Sequence, residues 1–106
     1  MEKRFSEMSE QELRSEIALL SEKARRAEQM GMVNEFAVHE RRIALAKSYL
    51  MNPENFAPGE KYEIDGDPGS TFTIDYMNGT FAWGYREGNK EIEAFPISML
   101  IEKEQQ

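Results

Sequence analysis

The chain has 106 residues, of which 40% are hydrophobic and 31% charged, the balance of one soluble domain or of a small domain with an attached helical element. It contains no cysteine and one histidine, which excludes disulfides, thiolate catalysis and Cys/His zinc sites within the chain. No apolar run approaches the roughly 20 residues that cross a bilayer, and the opening MEKRFSEMSEQEL lacks the apolar stretch of a signal peptide. We therefore expect a cytoplasmic protein without a membrane partner.

The net charge of −7 lies in the second half of the chain. Residues 1–52 contain nine Lys or Arg and nine Asp or Glu, whereas residues 53–106 contain four and eleven. An acidic surface repels phosphate backbones, so this asymmetry weighs against nucleic-acid binding by the C-terminal part.

The first half predicts two helices. Ser9 and Glu12 have the spacing of a capping box, and Gly31 is a typical residue for the end of a helix. Between them an apolar stripe of period 3.6 predicts one amphipathic helix: Leu13, Ile17, Leu20, Ala24 and Ala27. A second stripe contains Phe36, Ile43, Ala46 and Leu50, and Asn52-Pro53 ends it. The short connection predicts an antiparallel helical hairpin over residues 1–52.

Short alternating runs separated by turn residues follow from residue 53. KYEID, TFTIDYM, TFAWGYR, EIEAF and ISMLI predict four or five strands of a small, strongly curved sheet or barrel. Asn78-Gly79 predicts a two-residue type I′ hairpin, in which Tyr76 faces Phe81, Ile74 faces Trp83 and Phe72 faces Tyr85.

Regular alternation places those six side chains on one side of the hairpin. A binding platform for nucleic acid needs exposed aromatics interleaved with cations, and Arg86, the only basic residue of the hairpin, would point the other way. The pattern therefore indicates that these aromatic side chains form a hydrophobic core and not a nucleic-acid-binding surface. Gly84 leaves an alternative open, because a bulge there would expose Tyr85 and turn Arg86 inward.

Two further features of the helical half bear on function. His39 lies on the second apolar stripe, and no partner for catalysis or metal binding stands at the required spacing, so we expect a partly buried, hydrogen-bonded histidine. Arg25, Arg26, Arg41 and Arg42 form a candidate partner-binding surface on adjacent helices. Salt bridges to residues such as Glu22 would instead make these arginines an ordinary solvated surface, which we favour.

Four segments resemble the YfhH-like family of small uncharacterised proteins of bacilli. They are SEIALLSEKARRAEQMG (15–31), NPENFAPGE (52–60), NGTFAWGYR (78–86) and FPISML (95–100). The resemblance implies an α+β fold in which the helical hairpin (1–52) precedes an SH3-like barrel of about five strands (53–106), forming one compact cytoplasmic bacterial protein. It also implies a 3₁₀ turn at Pro96-Ile97-Ser98, and it supplies no catalytic or binding residues.

Three functional hypotheses follow from these observations. The first is a non-enzymatic interaction or regulatory protein that binds another protein. The alternative is a nucleic-acid-associated regulator that uses the four arginines, although the acidic half makes nucleic acid the less favoured partner. The third is an enzyme with paired carboxylates, which we disfavour because no nucleophile, metal set or cofactor motif is visible. We predict no catalytic residue, cofactor or metal, and self-association as a homodimer stays open.

Overall fold

The computed structural model of the protein describes residues 3–102. Within this range the regular elements are α1 (Glu10–Gln29), α2 (Val33–Ser48), β1 (Lys61–Ile64), β2 (Asp67–Asn78), β3 (Phe81–Arg86), β4 (Glu93–Pro96) and β5 (Leu100–Glu102). Short 3₁₀ helices cover Phe5–Glu7, Pro53–Asn55 and Ile97–Met99. The chain divides into two compact units, the first ending at Leu50 and the second beginning at Met51. Neither α1 nor α2 is long and apolar enough to cross a membrane.

Both ends of α1 are set by local hydrogen bonds that the sequence predicts. The Glu12 N–H donates to the Ser9 hydroxyl at 3.1 Å, and the Ser9 N–H donates to the Glu12 carboxylate at 3.1 Å, so the capping box is confirmed. At the other end Gly31 has a φ of 71°, which only glycine adopts without strain. The N–H groups of Gly31 and Met32 donate to the carbonyls of Glu28 and Ala27, which completes a Schellman motif.

The two helices pack as the predicted antiparallel hairpin, through small and branched side chains. Leu20 and Ala24 of α1 are buried together with Ile43 of α2. Phe5, Ile17 and Phe36 are half-buried against them and widen this core. The α1 stripe is thus confirmed, while α2 ends at Ser48, four residues before Asn52. Asn52 instead caps the following 3₁₀ helix by accepting from the Glu54 N–H at 3.0 Å.

The second unit is an antiparallel sheet in the strand order β4-β3-β2-β1-β5. One face of the sheet carries the core, which contains Tyr62, Ile64, Phe72, Ile74, Ala82, Ile97 and Leu100. Fully burying a large apolar side chain such as Phe72 contributes about 1.5–3 kcal/mol to stability. The predicted α+β class and the five strands are confirmed. Among residues 3–102 no ladder joins β4 to β5, so the sheet is open, and the closed barrel that the family resemblance implies is not seen.

The β2–β3 hairpin differs from the predicted pairing. Asn78 pairs with Phe81, so the loop is Gly79-Thr80, one residue later than the predicted turn. Gly79 has a φ of 59°, and no non-glycine residue of the described chain has a positive φ. A two-residue loop with glycine at its first position is typical of type II′, whereas type I′ needs positive φ at both positions.

A β-bulge at Asp75 changes the hairpin further. Ile74 pairs with Gly84 and Tyr76 pairs with Trp83, which leaves Asp75 without a partner on β3. The bulge lies in β2, opposite Gly84. A Cβ atom on Gly84 would lie 1.9 Å from the Thr73 carbonyl oxygen, so only glycine allows the two backbones to approach this closely.

The prediction that all six large side chains share one face is therefore wrong. Phe72 and Ile74 are buried in the core, while Tyr76 and Tyr85 are exposed. The extra residue at Asp75 reverses the alternation of every β2 residue on the turn side of the bulge, because side chains alternate with period two. The hairpin consequently has a core face and an aromatic outer face.

Candidate functional site

Tyr76, Trp83 and Tyr85 form what we term the outer aromatic face of the sheet. Trp83 and Tyr85 alternate along β3, and Tyr76 lies directly opposite Trp83 on β2, so all three point away from the core. Tyr76 is 43% exposed and Tyr85 is 40% exposed, and Trp83 is half-buried between its neighbours. Side chains of this size usually lie inside a protein, so three of them on one sheet surface indicate a contact surface.

The Tyr76 and Trp83 rings stack on each other. Their centroids are 5.8 Å apart and their planes differ by 4°. Such cross-strand pairs contribute about 0.5–1.5 kcal/mol beyond the burial of their area. The stack therefore holds the two rings in a fixed orientation, which lowers the entropy that a ligand would have to remove on binding.

Arg86 lies on the other side of the hairpin and is held there. Its Nε donates to Glu93 at 2.7 Å and its Nη1 pairs with Asp67. Its guanidinium also lies 5.3 Å from the ring centroid of Phe95. The Phe95 ring packs edge-on against Phe72, with 5.2 Å between the two ring centroids. Tyr85 outside and Arg86 inside is the outcome expected for a bulge near Gly84, and the double ion pair makes Arg86 a structural residue of the sheet.

Charged side chains of β1 and β2 belong to the surroundings of the outer aromatic face. Asp75, the bulge residue next to Tyr76, is exposed and forms no ion pair within the described part of the chain. Lys61 pairs with Thr73, which in turn pairs with Tyr85, so the lysine lies on the same side of the sheet two strands away. Glu63 pairs with Thr71 and so lies on the same side as Lys61. The surroundings of the face thus contain the exposed Asp75 next to Tyr76 in the chain, and Lys61 with Glu63 on the neighbouring β1.

The four predicted arginines are all exposed, and their local contacts differ. Arg25 pairs with Glu22 at 3.7 Å, and Arg42 lies 5.4 Å from the centroid of Phe5. Arg26 lines a pocket on the helical hairpin. Arg25 and Arg26 project about 100° apart around α1, as do Arg41 and Arg42 around α2. The arginine surface remains a prediction.

The pocket beside Arg26 has a volume of about 240 Å³ and lies where α1 ends and α2 begins. Its lining consists of Lys23, Arg26, Ala27, Met30, Met32, Glu35 and His39. His39 is half-buried as predicted, but its buried Nδ1 has no hydrogen-bond partner among the described residues, so the predicted hydrogen bond is not found there. The pocket is smaller than the roughly 300 Å³ at which drug-sized ligand sites begin.

Within residues 3–102 no cluster of three or more His, Asp or Glu side chains has the geometry to hold a metal ion. The sequence interpretation missed Tyr76 and Trp83 as surface residues because it assumed unbroken alternation across the hairpin. A signal was present: glycine inside a strand and aspartate in the middle of its partner mark irregular pairing.

The fold and the site together define a small α+β protein with a helical hairpin and a five-stranded antiparallel sheet that carries an exposed aromatic face. The model of the family described as "Protein of unknown function (DUF1811)" matches residues 3–101, and the chain belongs to this family. The chain is also similar to "Uncharacterized protein YfhH" of Bacillus subtilis (strain 168). The two are 58% identical over 105 residues, covering 98% of this chain and all of that protein.

Proposed function

We propose that the protein is a non-enzymatic interaction protein and that its outer aromatic face binds a segment of another protein. The observation that carries this proposal is the exposure of Tyr76 and Tyr85 around the stacked Trp83. Tyrosine and tryptophan are enriched at the centres of protein interfaces because they bury large areas while losing little conformational entropy. A regulatory role would follow if the bound protein changes its activity on binding.

A protein partner is favoured over nucleic acid on this face. Single-stranded nucleic acid binds aromatic surfaces only when cations beside them neutralise its phosphates. The guanidinium group of Arg86 in β3 is already paired with Asp67 and Glu93. Residues 53–106 carry eleven acidic and four basic side chains, so phosphates would be repelled.

The SH3-like barrel is part of the same proposal. The 3₁₀ helix Ile97–Met99 between β4 and β5 supports an SH3-like topology, here with an open sheet in the order β4-β3-β2-β1-β5. Small barrels host many unrelated functions, so the fold raises no particular function above the others. Only the exposed aromatic side chains, and not the fold, favour binding.

The test is affinity capture from a lysate of a related bacillus, with the full chain as bait and mass spectrometry of the bound proteins. A captured protein is then purified, and its affinity is compared for the wild type, the double variant Tyr76→Ser/Tyr85→Ser and the control Val38→Ser. Val38 is 52% exposed on α2, so its replacement removes exposed apolar surface elsewhere. Loss of two interface aromatics should weaken binding at least about 30-fold, and the control should change it less than about twofold.

The variants also need a fold check. Thermal melting followed by the fluorescence of Trp83, the only tryptophan of the chain, shows whether the sheet of each variant is intact. Equal affinity of the wild type and the folded double variant for the purified partner would contradict the proposal. So would finding no captured protein that binds directly at any salt concentration.

Nucleic-acid association through Arg25, Arg26, Arg41 and Arg42 is the alternative proposal, and the exposure of all four favours it. Its test is the salt dependence of binding to DNA and RNA. Binding that weakens steeply with salt and whose slope flattens in Arg26→Ala/Arg41→Ala would support it. No binding at low salt would end it. Light scattering coupled to gel filtration tests self-association separately.

A further inference from the structure

We infer that the group received by the outer aromatic face is a cationic side chain, a lysine or arginine within an extended segment of the partner protein. This inference rests on the proposed function and adds the chemical class of the ligand. Three features of the second unit support it: aromatic rings that pair with no described cation, the exposed Asp75 next to Tyr76 in the chain, and the negative net charge.

The chain already pairs cations with aromatic rings in two places. Arg42 lies over Phe5 at 5.4 Å and Arg86 lies over Phe95 at 5.3 Å. Over the rings of Tyr76, Trp83 and Tyr85 the described chain places no cation of its own. Tryptophan is the strongest acceptor for such contacts, followed by tyrosine. The best cation acceptors of the described chain are therefore those still available to a partner.

The carboxylate of Asp75 also favours a cationic ligand. Asp75 is the bulge residue that directly precedes Tyr76, it is exposed, and no described ion pair includes it. An ammonium or guanidinium group over the Tyr76 ring would lie within reach of a carboxylate on the neighbouring residue. Cation–aromatic contact combined with an ion pair discriminates against neutral and anionic ligands, whereas aromatic contact alone does not.

The negative net charge of the second unit favours a cationic ligand as well. Residues 53–106 carry a net charge of −7, which attracts a basic segment from a distance and speeds its association. Arg86 does not oppose this attraction, because Asp67 and Glu93 pair with it. Lys61 lies on the same face and opposes it, because its strand β1 is the neighbour of β2, the strand that carries Tyr76. Its replacement should therefore strengthen binding.

The test uses the fluorescence of Trp83 during titration of the full chain with short synthetic peptides. The probe peptide consists of glycine and serine with three lysines, and its matched control carries acetyl-lysine at the same positions. A glutamate peptide and spermidine complete the set, and none of the four ligands contains an aromatic group. Because Trp83 is the only tryptophan, any change in emission reports on the proposed site or on the sheet that holds it.

The lysine peptide should bind about five- to tenfold more tightly than the acetylated peptide. Asp75→Asn should weaken its binding about threefold, and Lys61→Gln should strengthen it. Equal affinity for the two peptides, tighter binding of the glutamate peptide, or no change of emission at millimolar peptide would overturn the inference. Tighter binding of spermidine than of the lysine peptide would also overturn it, since the ligand would then be a small polyamine.

The two proposals fail in distinguishable ways. If a captured partner depends on Tyr76 and Tyr85 while the lysine and acetyl-lysine peptides bind equally, the protein-binding function stands and the cationic ligand is wrong. If the purified partner binds the folded Tyr76→Ser/Tyr85→Ser variant as well as the wild type, the proposed function itself is wrong.

Discussion

Replacing Gly84 with alanine tests the bulged hairpin that creates the outer aromatic face. The new Cβ would lie 1.9 Å from the Thr73 carbonyl oxygen, where real Cβ atoms stay beyond 3.0 Å. Because the obstacle is backbone, β2 and β3 must separate by roughly 1 Å, which strains the packing by about 1–3 kcal/mol. Each buried backbone hydrogen bond broken costs about 1–3 kcal/mol more. We expect a loss of about 3 kcal/mol from a total stability that is typically about 5–15 kcal/mol.

The assay is thermal unfolding followed by Trp83 fluorescence, because this tryptophan lies in β3 itself. A loss of about 3 kcal/mol should lower the midpoint by about 12 °C or more for a domain of this size. Gly88→Ala is the matched control: its φ of 83° imposes strain on alanine, but no atom lies within 4 Å of the added Cβ. That control should cost only about 1 kcal/mol. Equal midpoints for the two variants would refute the close backbone approach at Gly84.

Two further predictions concern stability. Ser9→Ala should lower the free energy of unfolding by about 1 kcal/mol, measured by circular dichroism during thermal unfolding. The control Ser15→Ala, on the exposed side of α1, should leave it unchanged. A destabilised Ser15→Ala with an unchanged Ser9→Ala would contradict the capping box. Burial, followed by the hydrogen bond to Glu60 at 2.9 Å, raises the pKa of Tyr62 to about 12 from an ordinary value of about 10. The folded state keeps this proton longer than the unfolded state, so the stabilisation is complete below pH 10 and is lost as the pH rises towards 12. The absorbance of tyrosinate in the wild type should show one tyrosine that ionises near pH 12. If Tyr62→Phe still shows this titration, its assignment to Tyr62 is wrong.

The pKa of Glu12 gives the capping box a second consequence at low pH. Hydrogen bonds from the Ser9 backbone, and then from Lys3, lower the pKa of this carboxyl below its ordinary value. The unfolded chain therefore takes up the proton at a higher pH than the folded chain does. The associated stabilisation is present above the ordinary carboxyl pKa and disappears as the pH falls through the lowered one. Glu12→Gln removes the titrating carboxyl, so acid unfolding followed by circular dichroism should lose this part of the pH dependence, and an unchanged pH profile would contradict the assignment.

The helical unit could be predicted from the sequence because its signals are local. Ser9 and Glu12 are three residues apart, and α1 ends where the N–H groups of Gly31 and Met32 donate to carbonyls three and five residues before them. The buried stripe repeats every turn, so tertiary contacts reinforce what local geometry already favours. Only the end of α2 is displaced, because Asn52 caps the following 3₁₀ helix.

The strands could be located from the sequence, but their pairing could not. An Asn-Gly pair indicates a hairpin without stating which two residues occupy the loop, and here the loop is Gly79-Thr80. A change of one residue in register turns every following side chain to the opposite face. Propensity cannot detect such a change, since tyrosine and tryptophan suit either face of a half-buried strand.

The candidate site therefore depends on the bulge more than on the aromatic residues themselves. Without the extra residue at Asp75, regular alternation would place Tyr76 and its partner Trp83 on the same face as Ile74 and Phe72. The extra residue that turns Tyr76 outward, Asp75, is itself an exposed aspartate directly before Tyr76 in the chain. On the opposite strand, Gly84 is the residue that lets the two backbones come close enough for this geometry. One local irregularity thus exposes the rings and supplies the negative charge, the two properties that a cationic ligand would recognise.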